Sequence, residues 1–377
     1  MRIGILTLPL HTNYGGILQA YALQTVLKRM GHEVVVIDTY KKLHLPLWKW
    51  PLSIPKRLIS KYLLGEDIRV LAEYRHNQDW NTINQHTQLF IKKHIRQRII
   101  RNLSELKPAE FDSIVVGSDQ VWRPRYFRNA YRSSMNNAFL AFTKNWNIKR
   151  IAYAASFGTE DWEYNEEETR KCSQLLSLFQ AVSVREDTGV QLCNEHFGIQ
   201  AKHVLDPTLL LSPQDYTQLL LPIHETSARD ELFCYILDRH KEKQALIQRV
   251  SQKFHLGTRI IHADTHNTSV RPKDKIQPPV ETWLRDLYNA RFVITDSFHA
   301  CVFSILFEKP FIVIGNRERG MARIHSLLKI FGLQDRIVTP QSEIQQLAKD
   351  INWTMVRSIL AEKKTLSTDF LEKNLAQ

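Results

Sequence analysis

The sequence predicts an α/β protein made of two Rossmann-like, doubly wound domains that face a central cleft. Two observations predict it. Short apolar runs of strand length alternate with segments of helical periodicity, and this alternation, broken once by a basic stretch, returns in the second half of the chain. In addition, most of the apolar runs end in a polar or glycine-bearing loop, where open α/β sheets bind ligands.

Arg2 to Leu8 reads as a first buried parallel strand. It could be mistaken for the apolar part of a signal peptide. No small-residue cleavage site follows it, and Asn13-Tyr14-Gly15-Gly16 comes directly after, so a strand is expected. His11 to Gly16 is a loop, and Ile17 to Met30 a helix with Leu18, Tyr21, Ala22, Leu23, Val26, Leu27 and Met30 at helical spacing. Gly31 stops that helix at a C′-type position. Glu33 to Asp38 completes a βαβ unit. Phe111 to Val116, Arg150 to Ala155, Ala181 to Val184 and Lys202 to Leu205 continue the sheet, with a helix at Glu166 to Phe179. A first domain is therefore expected over residues 1–210, with a basic insertion at 41–105.

The second domain, expected over 211–340, has strands at Leu232 to Leu237, Arg259 to His262, Phe292 to Thr295 and Pro310 to Ile314. Its helices are Lys241 to Phe254, Glu281 to Ala290 and Phe298 to Phe307. Residues 341–377 are expected to form a C-terminal helical tail.

The length of 377 residues suits two domains, and 43% hydrophobic with 24% charged residues argues against a disordered chain. The net charge of +12 points to anionic partners: phosphates, carboxylates, nucleic acid or an anionic membrane surface. No helix-turn-helix, zinc-finger or RRM signature supports nucleic acid. Cys172, Cys193, Cys234 and Cys301 form no C-x-x-C pair; they read as reduced core thiols of a cytoplasmic protein, and no metal site or cofactor is expected. No apolar run approaches the ~20 residues of a spanning helix. Residues 41–64 hold Lys41, Lys42, Lys49, Lys56, Arg57 and Lys61 without an acid, and Trp48 and Trp50 flank Lys49. Such a stretch is either an ordinary basic insertion or a peripheral contact with an anionic membrane.

Candidate chemistry sits at strand ends. In Thr295-Asp296-Ser297-Phe298-His299 a strand passes into a helix with Asp296 or Ser297 as N-cap. His299 then lies in a first helical turn, where free N–H groups favour an anion. The alternative is a helix-terminal His that merely hydrogen-bonds. Arg185 follows a strand and could clamp a carboxylate or phosphate, or simply pair with Glu186 or Asp187. Asn13, Tyr14, Gly15 and Gly16 allow a tight turn and close approach to a ligand, or form a purely structural turn. In Gly117-Ser118-Asp119-Gln120-Val121-Trp122, Asp119 could act as a base and Trp122 could stack on a sugar; the plain reading is an N-cap and a packed Trp. Arg317, Arg319 and Arg323 follow the last strand and could close on an anion or form a solvated basic face.

These stretches, in this order, resemble the polysaccharide pyruvyl transferase family. The matching pieces are Asn13 to Gly16 with Leu18-Gln19-Ala20-Tyr21, Gly117 to Trp122, Tyr153 to Gly158, Val184-Arg185-Glu186, Val204-Leu205-Asp206-Pro207-Thr208, Asp296 to His299 and Arg317 to Gly320. The resemblance implies a two-domain fold like that of GT-B glycosyltransferases. It also implies transfer from phosphoenolpyruvate, a co-substrate rather than a cofactor, to a sugar or lipid-linked oligosaccharide, giving a cyclic pyruvate ketal. It makes His299 the family's essential His and Arg185 its donor-holding Arg. Some members carry Arg two residues before that His, where Ser297 stands here. The donor side is then expected to comprise Arg185, Ser297, Phe298, Arg317, Arg319 and Arg323, with one of the last three compensating for Ser297. The acceptor side would comprise Asn13, Tyr14, Gly15, Gly16, Ser118, Gln120 and Trp122, with Asp119 as base. A nucleotide-sugar glycosyltransferase of the same architecture is the alternative; it requires an acid placed for a ribose, and no convincing candidate stands near Asn316.

Overall fold

The computed structural model describes residues 1–39, 45, 47–65, 70–220, 230–238, 240–262, 272–315, 320–343 and 349–376. Two all-parallel sheets form two Rossmann-like domains. The first sheet contains β1 (Arg2–Leu6), β2 (Glu33–Thr39), β3 (Gln97–Ile100), β4 (Ser113–Val116), β5 (Lys149–Ala155), β6 (Ala181–Val184) and β7 (Lys202–His203), in the order β3-β2-β1-β4-β5-β6-β7. The second contains β8 (Glu231–Ile236), β9 (Gly257–His262), β10 (Phe292–Thr295), β11 (Phe311–Ile314) and β12 (Ile337–Val338), in the order β12-β11-β10-β8-β9. The central strands are apolar because both of their faces are covered: β4, β10 and β11 are buried at every residue.

Around the first sheet lie α1 (Tyr14–Arg29), α2 (Trp50–Tyr62), α3 (Ala72–Ile83), α4 (Gln85–His94), α5 (Pro124–Tyr131), α6 (Glu166–Leu176) and α7 (Asp187–Phe197). The short α8 (Pro213–Thr217) leads to the second domain, with α9 (Lys241–Phe254), α10 (Val280–Asn289), α11 (Phe298–Leu306) and α12 (Ala322–Phe331). The final helix, α13 (Trp353–Leu375), returns to the first domain. There Ser367 Oγ accepts the Leu205 N–H at 3.0 Å, and Phe370 packs 6.2 Å from Tyr153. No helix among the described residues is long and apolar enough to cross a membrane. All four cysteines are free and buried.

Three departures from the sequence reading matter. The first helix begins at Tyr14, so Gly15 and Gly16 lie in its opening turn and not in the preceding loop. The basic insertion contains an edge strand, β3, which pairs Val36 with Gln97 and Thr39 with Ile100. The strand expected to reach Leu205 stops at His203, and Asp206 instead caps a 3-10 turn at Pro207–Leu210 through the Thr208 N–H.

One apolar core runs through both domains, from Leu10, Tyr14 and Leu18 to Trp283, Phe303 and Phe311. Tyr14 is fully buried in it, stacked on Trp283 at 5.5 Å, and donates to the Pro278 carbonyl at 2.7 Å. The domains are thus joined by packed apolar surface beside the cleft.

Candidate active site

In each sheet the strand order reverses beside the first strand, between β1 and β4 and between β8 and β10. A ligand crevice opens beyond the carboxyl ends of the strands at such a point. Here the two crevices meet in one cavity of about 310 Å³. Its walls come from the β1 loop (Leu8 to Asn13), the start of α1, the β4 loop (Asp119, Gln120), α5, the β10 loop (Asp296, Ser297) and the starts of α11 and α12.

On the first-domain side, beneath Phe298 and His299, lies a buried ion pair. Arg185 leaves the end of β6 and its Nη1 reaches Asp206 Oδ2 at 2.7 Å, both side chains essentially inaccessible to water. Ser118 Oγ donates to the same oxygen at 2.9 Å and accepts from Arg185 Nη1 at 3.1 Å. Asp206 Oδ1 accepts from the Thr208 N–H at 3.0 Å and from its hydroxyl at 2.6 Å. His299 Nε2, from the first turn of α11, approaches Asp206 Oδ2 at 3.7 Å, an ion-pair separation longer than a hydrogen bond. Burial alone would raise the Asp206 carboxyl; His299, Arg185 and Thr208 outweigh it and hold the group well below the usual carboxylate range. Buried Nε and Nη2 of Arg185, and Nε2 of His299, have no hydrogen-bond partner among the described residues. An intact guanidinium edge is therefore left without a protein acceptor.

Phe298 carries two cations on its ring, Arg185 at 4.5 Å and Arg323 at 5.6 Å. Arg323 enters from the first turn of α12 and lines the cavity. Burial, and then the charge of Arg185, push its guanidinium down to about 10, so it is still cationic at neutral pH. Ser297 is the N-cap of α11, its side chain makes no capping bond, and it too lines the cavity. Asp296 has a different task. It accepts from the Leu237 and Asp238 N–H groups at 2.7 and 3.2 Å and pairs with Lys243 at 2.7 Å, tying α9 to the β8 and β10 loops.

Across the cavity, Asp119 has a left-handed backbone (φ 84°) that turns its carboxylate over the first turn of α1, beside Gly16. Its Oδ1 accepts the Gln120 N–H at 2.8 Å. Glu186 shapes the neighbouring loop, its Oε1 accepting from Ser156 Oγ, Phe157 N and Gly158 N at 2.8–3.0 Å. Two glycines lie at close contacts between the domains. A methyl group on Gly15 would overlap the His299 imidazole, and one on Gly320 would overlap the Gly158 carbonyl.

Of the residues expected at the site, the structure brings His299, Asp119, Arg323, Ser297, Phe298, Asn13, Gly16 and Gln120 to the cavity wall, with Arg185 directly behind Phe298. Arg185, Trp122, Tyr14, Ser118 and Gly15 do not line it. Trp122 is fully buried, stacked on Phe139 at 4.9 Å with Phe157 on it at 5.4 Å, and its indole N–H donates to Ala138; it has no face left for a sugar. Tyr14 is spent on the domain interface, as above. Ser118 is turned inward to the Arg185–Asp206 pair. Gly15 lies beneath the His299 ring. Arg317 and Arg319 lie outside the described residues. The sequence reading gave no site role to Asp206, although its motif had been noticed, nor to Gln277 and the α5 residues Arg125, Tyr126 and Asn129, which also line the cavity.

The arrangement can hold a small anion beside the Arg323 charge on the cavity wall, with Arg185 enclosed behind the Phe298 ring. It places an imidazole beside that anion and a carboxylate across from it, with room for a further ring. That set suits proton transfer to and from a bound anionic substrate.

A family model for polysaccharide pyruvyl transferases matches residues 13–318. No curated protein matches the chain. Solved structures with a similar course of the chain include the UDP-GlcNAc 2-epimerase from Neisseria meningitidis bound to UDP-GlcNAc, at a TM-score of 0.47 and 11% identity over 100% of this chain and 99% of that one. The UDP-GlcNAc 2-epimerase from Methanocaldococcus jannaschii gives 0.46 and 13% over 97% and 99%. The E. coli heptosyltransferase WaaC with ADP gives 0.36 and 11% over 96% and 100%.

Proposed function

The chain belongs to the polysaccharide pyruvyl transferase family, and from that premise we propose that it moves the pyruvyl group of phosphoenolpyruvate onto a sugar, closing a cyclic ketal and releasing phosphate. The observation that supports this most is the Nε/Nη2 edge of buried Arg185, which has no protein acceptor among the described residues and lies near His299 and Arg323. Phosphoenolpyruvate is small and carries two anionic groups, a phosphate and a carboxylate. One of these lies toward Arg323 and the uncapped start of α11, and the other takes the Arg185 edge bidentately once the Phe298 ring that covers it turns aside.

In the proposed reaction His299 gives a proton to C3 of the donor, which makes C2 electrophilic. A sugar hydroxyl attacks C2 and its proton passes to Asp119. The bond from C2 to the phosphate oxygen breaks, and a neighbouring hydroxyl adds to C2 to close the ketal. Two hydroxyl protons are lost; one replaces that delivered to C3, and the other leaves with phosphate. The acceptor we assign is a hexose in a lipid-linked glycan precursor of the kind that capsule or exopolysaccharide synthesis uses at the inner membrane face.

The test supplies the purified protein with phosphoenolpyruvate and a panel of hexosides. The expected result is phosphate release that depends on the hexoside, with a new ketal methyl signal in the proton NMR spectrum. Release of UDP from UDP-sugars, with none of phosphate from phosphoenolpyruvate, would overturn the proposal in favour of glycosyl transfer.

A further inference from the structure

The helix α2 and the 3-10 turn before it (Leu47–Lys49) contain no buried residue. One side of α2 is nevertheless anchored. Arg57 pairs with Glu73 of α3 through two bonds of 2.7 Å, and Trp50 donates to the Leu45 carbonyl at 3.2 Å. The opposite side is apolar and faces water. Trp48, Leu52, Pro55, Ile59, Tyr62 and Leu63 recur at three- and four-residue spacing, which at 3.6 residues per turn forms one stripe. Trp48, Leu52, Tyr62 and Leu63 are each more than 70% exposed, and Ile59 is 51% exposed. Scattered exposed apolar residues are ordinary, whereas a continuous stripe along a whole helix marks a surface that something covers.

Charge and aromatic placement identify the occupant. Residues 41–65 include no acid. Lys49 lies 4.8 Å over the Trp48 ring and Lys61 5.5 Å over the Tyr62 ring, while Lys56 follows Pro55 on the rim of the stripe. Protein–protein interfaces are depleted in lysine. A helix lying in a lipid interface has the reverse pattern: lysines along a polar margin, an apolar stripe with Trp and Leu, and aromatic rings at headgroup depth. We propose that α2 docks this protein on an anionic lipid bilayer, its stripe in the acyl boundary and its lysines on lipid phosphates. The insertion leaves the first sheet after β2, at the cleft end of the strands, and Trp80 of α3 lies 5.9 Å from His11 on the cavity wall. The inference stands on α2 alone and is independent of the proposed reaction.

The experiment is co-sedimentation of the full chain with phosphatidylcholine vesicles, with and without 30% phosphatidylglycerol. Neither phosphoenolpyruvate nor acceptor is present, so its result does not depend on the transferase assignment. Binding is expected to the anionic vesicles, with a blue shift of tryptophan fluorescence. K49Q/K56Q/K61Q should weaken it on the order of 10²-fold, about fivefold per lysine. L52E/I59E should abolish it while keeping the wild-type thermal midpoint, because both side chains are exposed. Wild-type protein that stays in the supernatant, or variants that bind as well as wild type, would overturn the proposal. So would a dimer that L52E/I59E dissociates in the absence of any vesicle binding, since the stripe would then join two copies of the chain.

Discussion

Arg185→Lys separates the charge of this residue from its fork. In the wild type, Nη1 is committed to Asp206 and Ser118, while Nε and Nη2 have no protein acceptor among the described residues. A lysine ammonium can take the Asp206 contact and stay over the Phe298 ring, so the buried carboxylate remains paired. What it cannot offer is the second, parallel pair of N–H groups. Hydrogen bonds to charged groups contribute about 1.5–3 kcal/mol each, so losing two should weaken phosphoenolpyruvate binding about 10²–10⁴-fold. Isothermal titration calorimetry with phosphoenolpyruvate alone reads this without an acceptor. The thermal midpoint should move by only a few degrees, because the ion pair survives. A folded R185K protein that binds phosphoenolpyruvate within threefold of wild type would refute the assignment of that guanidinium edge to the donor.

His299→Ala should lower the turnover rate by roughly two decades or more with the fold retained, and near-normal phosphate release from a folded variant would remove His299 from the mechanism. Gly15→Ala places a methyl where the imidazole lies, so the ring must swing away; its rate loss should match that of His299→Ala, and an active G15A enzyme would show that the ring position is unimportant. Asp38, buried at the end of β2, is pushed up to about 6 by burial, against bonds from the Leu10 and Thr39 N–H groups and the Gln97 amide. The folded state therefore holds this proton more tightly than the unfolded chain. That stability is fully present below the ordinary value of 3.8 and is lost as pH rises through about 6. Unfolding free energies from urea titrations should accordingly shift in favour of D38N over wild type between pH 4 and 7, by up to about 3 kcal/mol, and a pH-independent difference would contradict the burial argument.

What could be read from the sequence depended on whether the cause was local. β6, α9 and β10 lie where their apolar runs and helical spacing place them, because burial on two faces or one stripe leaves its mark within the element itself. Gly15 and Gly16 read as a turn, since glycine usually signals one. Here Gly15 is needed because His299, distant in sequence, lies against it across the domain boundary. β3 was hidden by Gln97 and Arg98, polar residues that an edge strand tolerates and a central strand would not. Trp122 beside Asp119 had the composition of a sugar platform, but its ring is covered by Phe139 and Phe157, and no local pattern reveals that. Asp206 stood in view at the end of a strand. Its place beside Arg185 and Ser118 follows from the strand order, which sets β6 and β7 in register at the carboxyl edge of the same sheet.

The Arg185–Asp206 pair is the more informative because it is a poor way to stabilise a fold. Two charges taken out of water lose hydration that their attraction only partly restores, and apolar residues of the same volume would often do as well. What the pair does supply is direction. Asp206 is fixed by Thr208 and Ser118, and it holds Nη1 so that the opposite edge of Arg185 has no protein acceptor among the described residues. The same carboxylate oxygen stands 3.7 Å from His299. Asp206 is held well below the usual carboxylate range and is therefore an anion at neutral pH. One buried carboxylate thus orients the cation assigned to the donor and stands beside the imidazole assigned to proton transfer. Without Asp206, Arg185 and His299 would each keep their chemistry but lose their position relative to the same donor molecule, and proton transfer depends on that relative position.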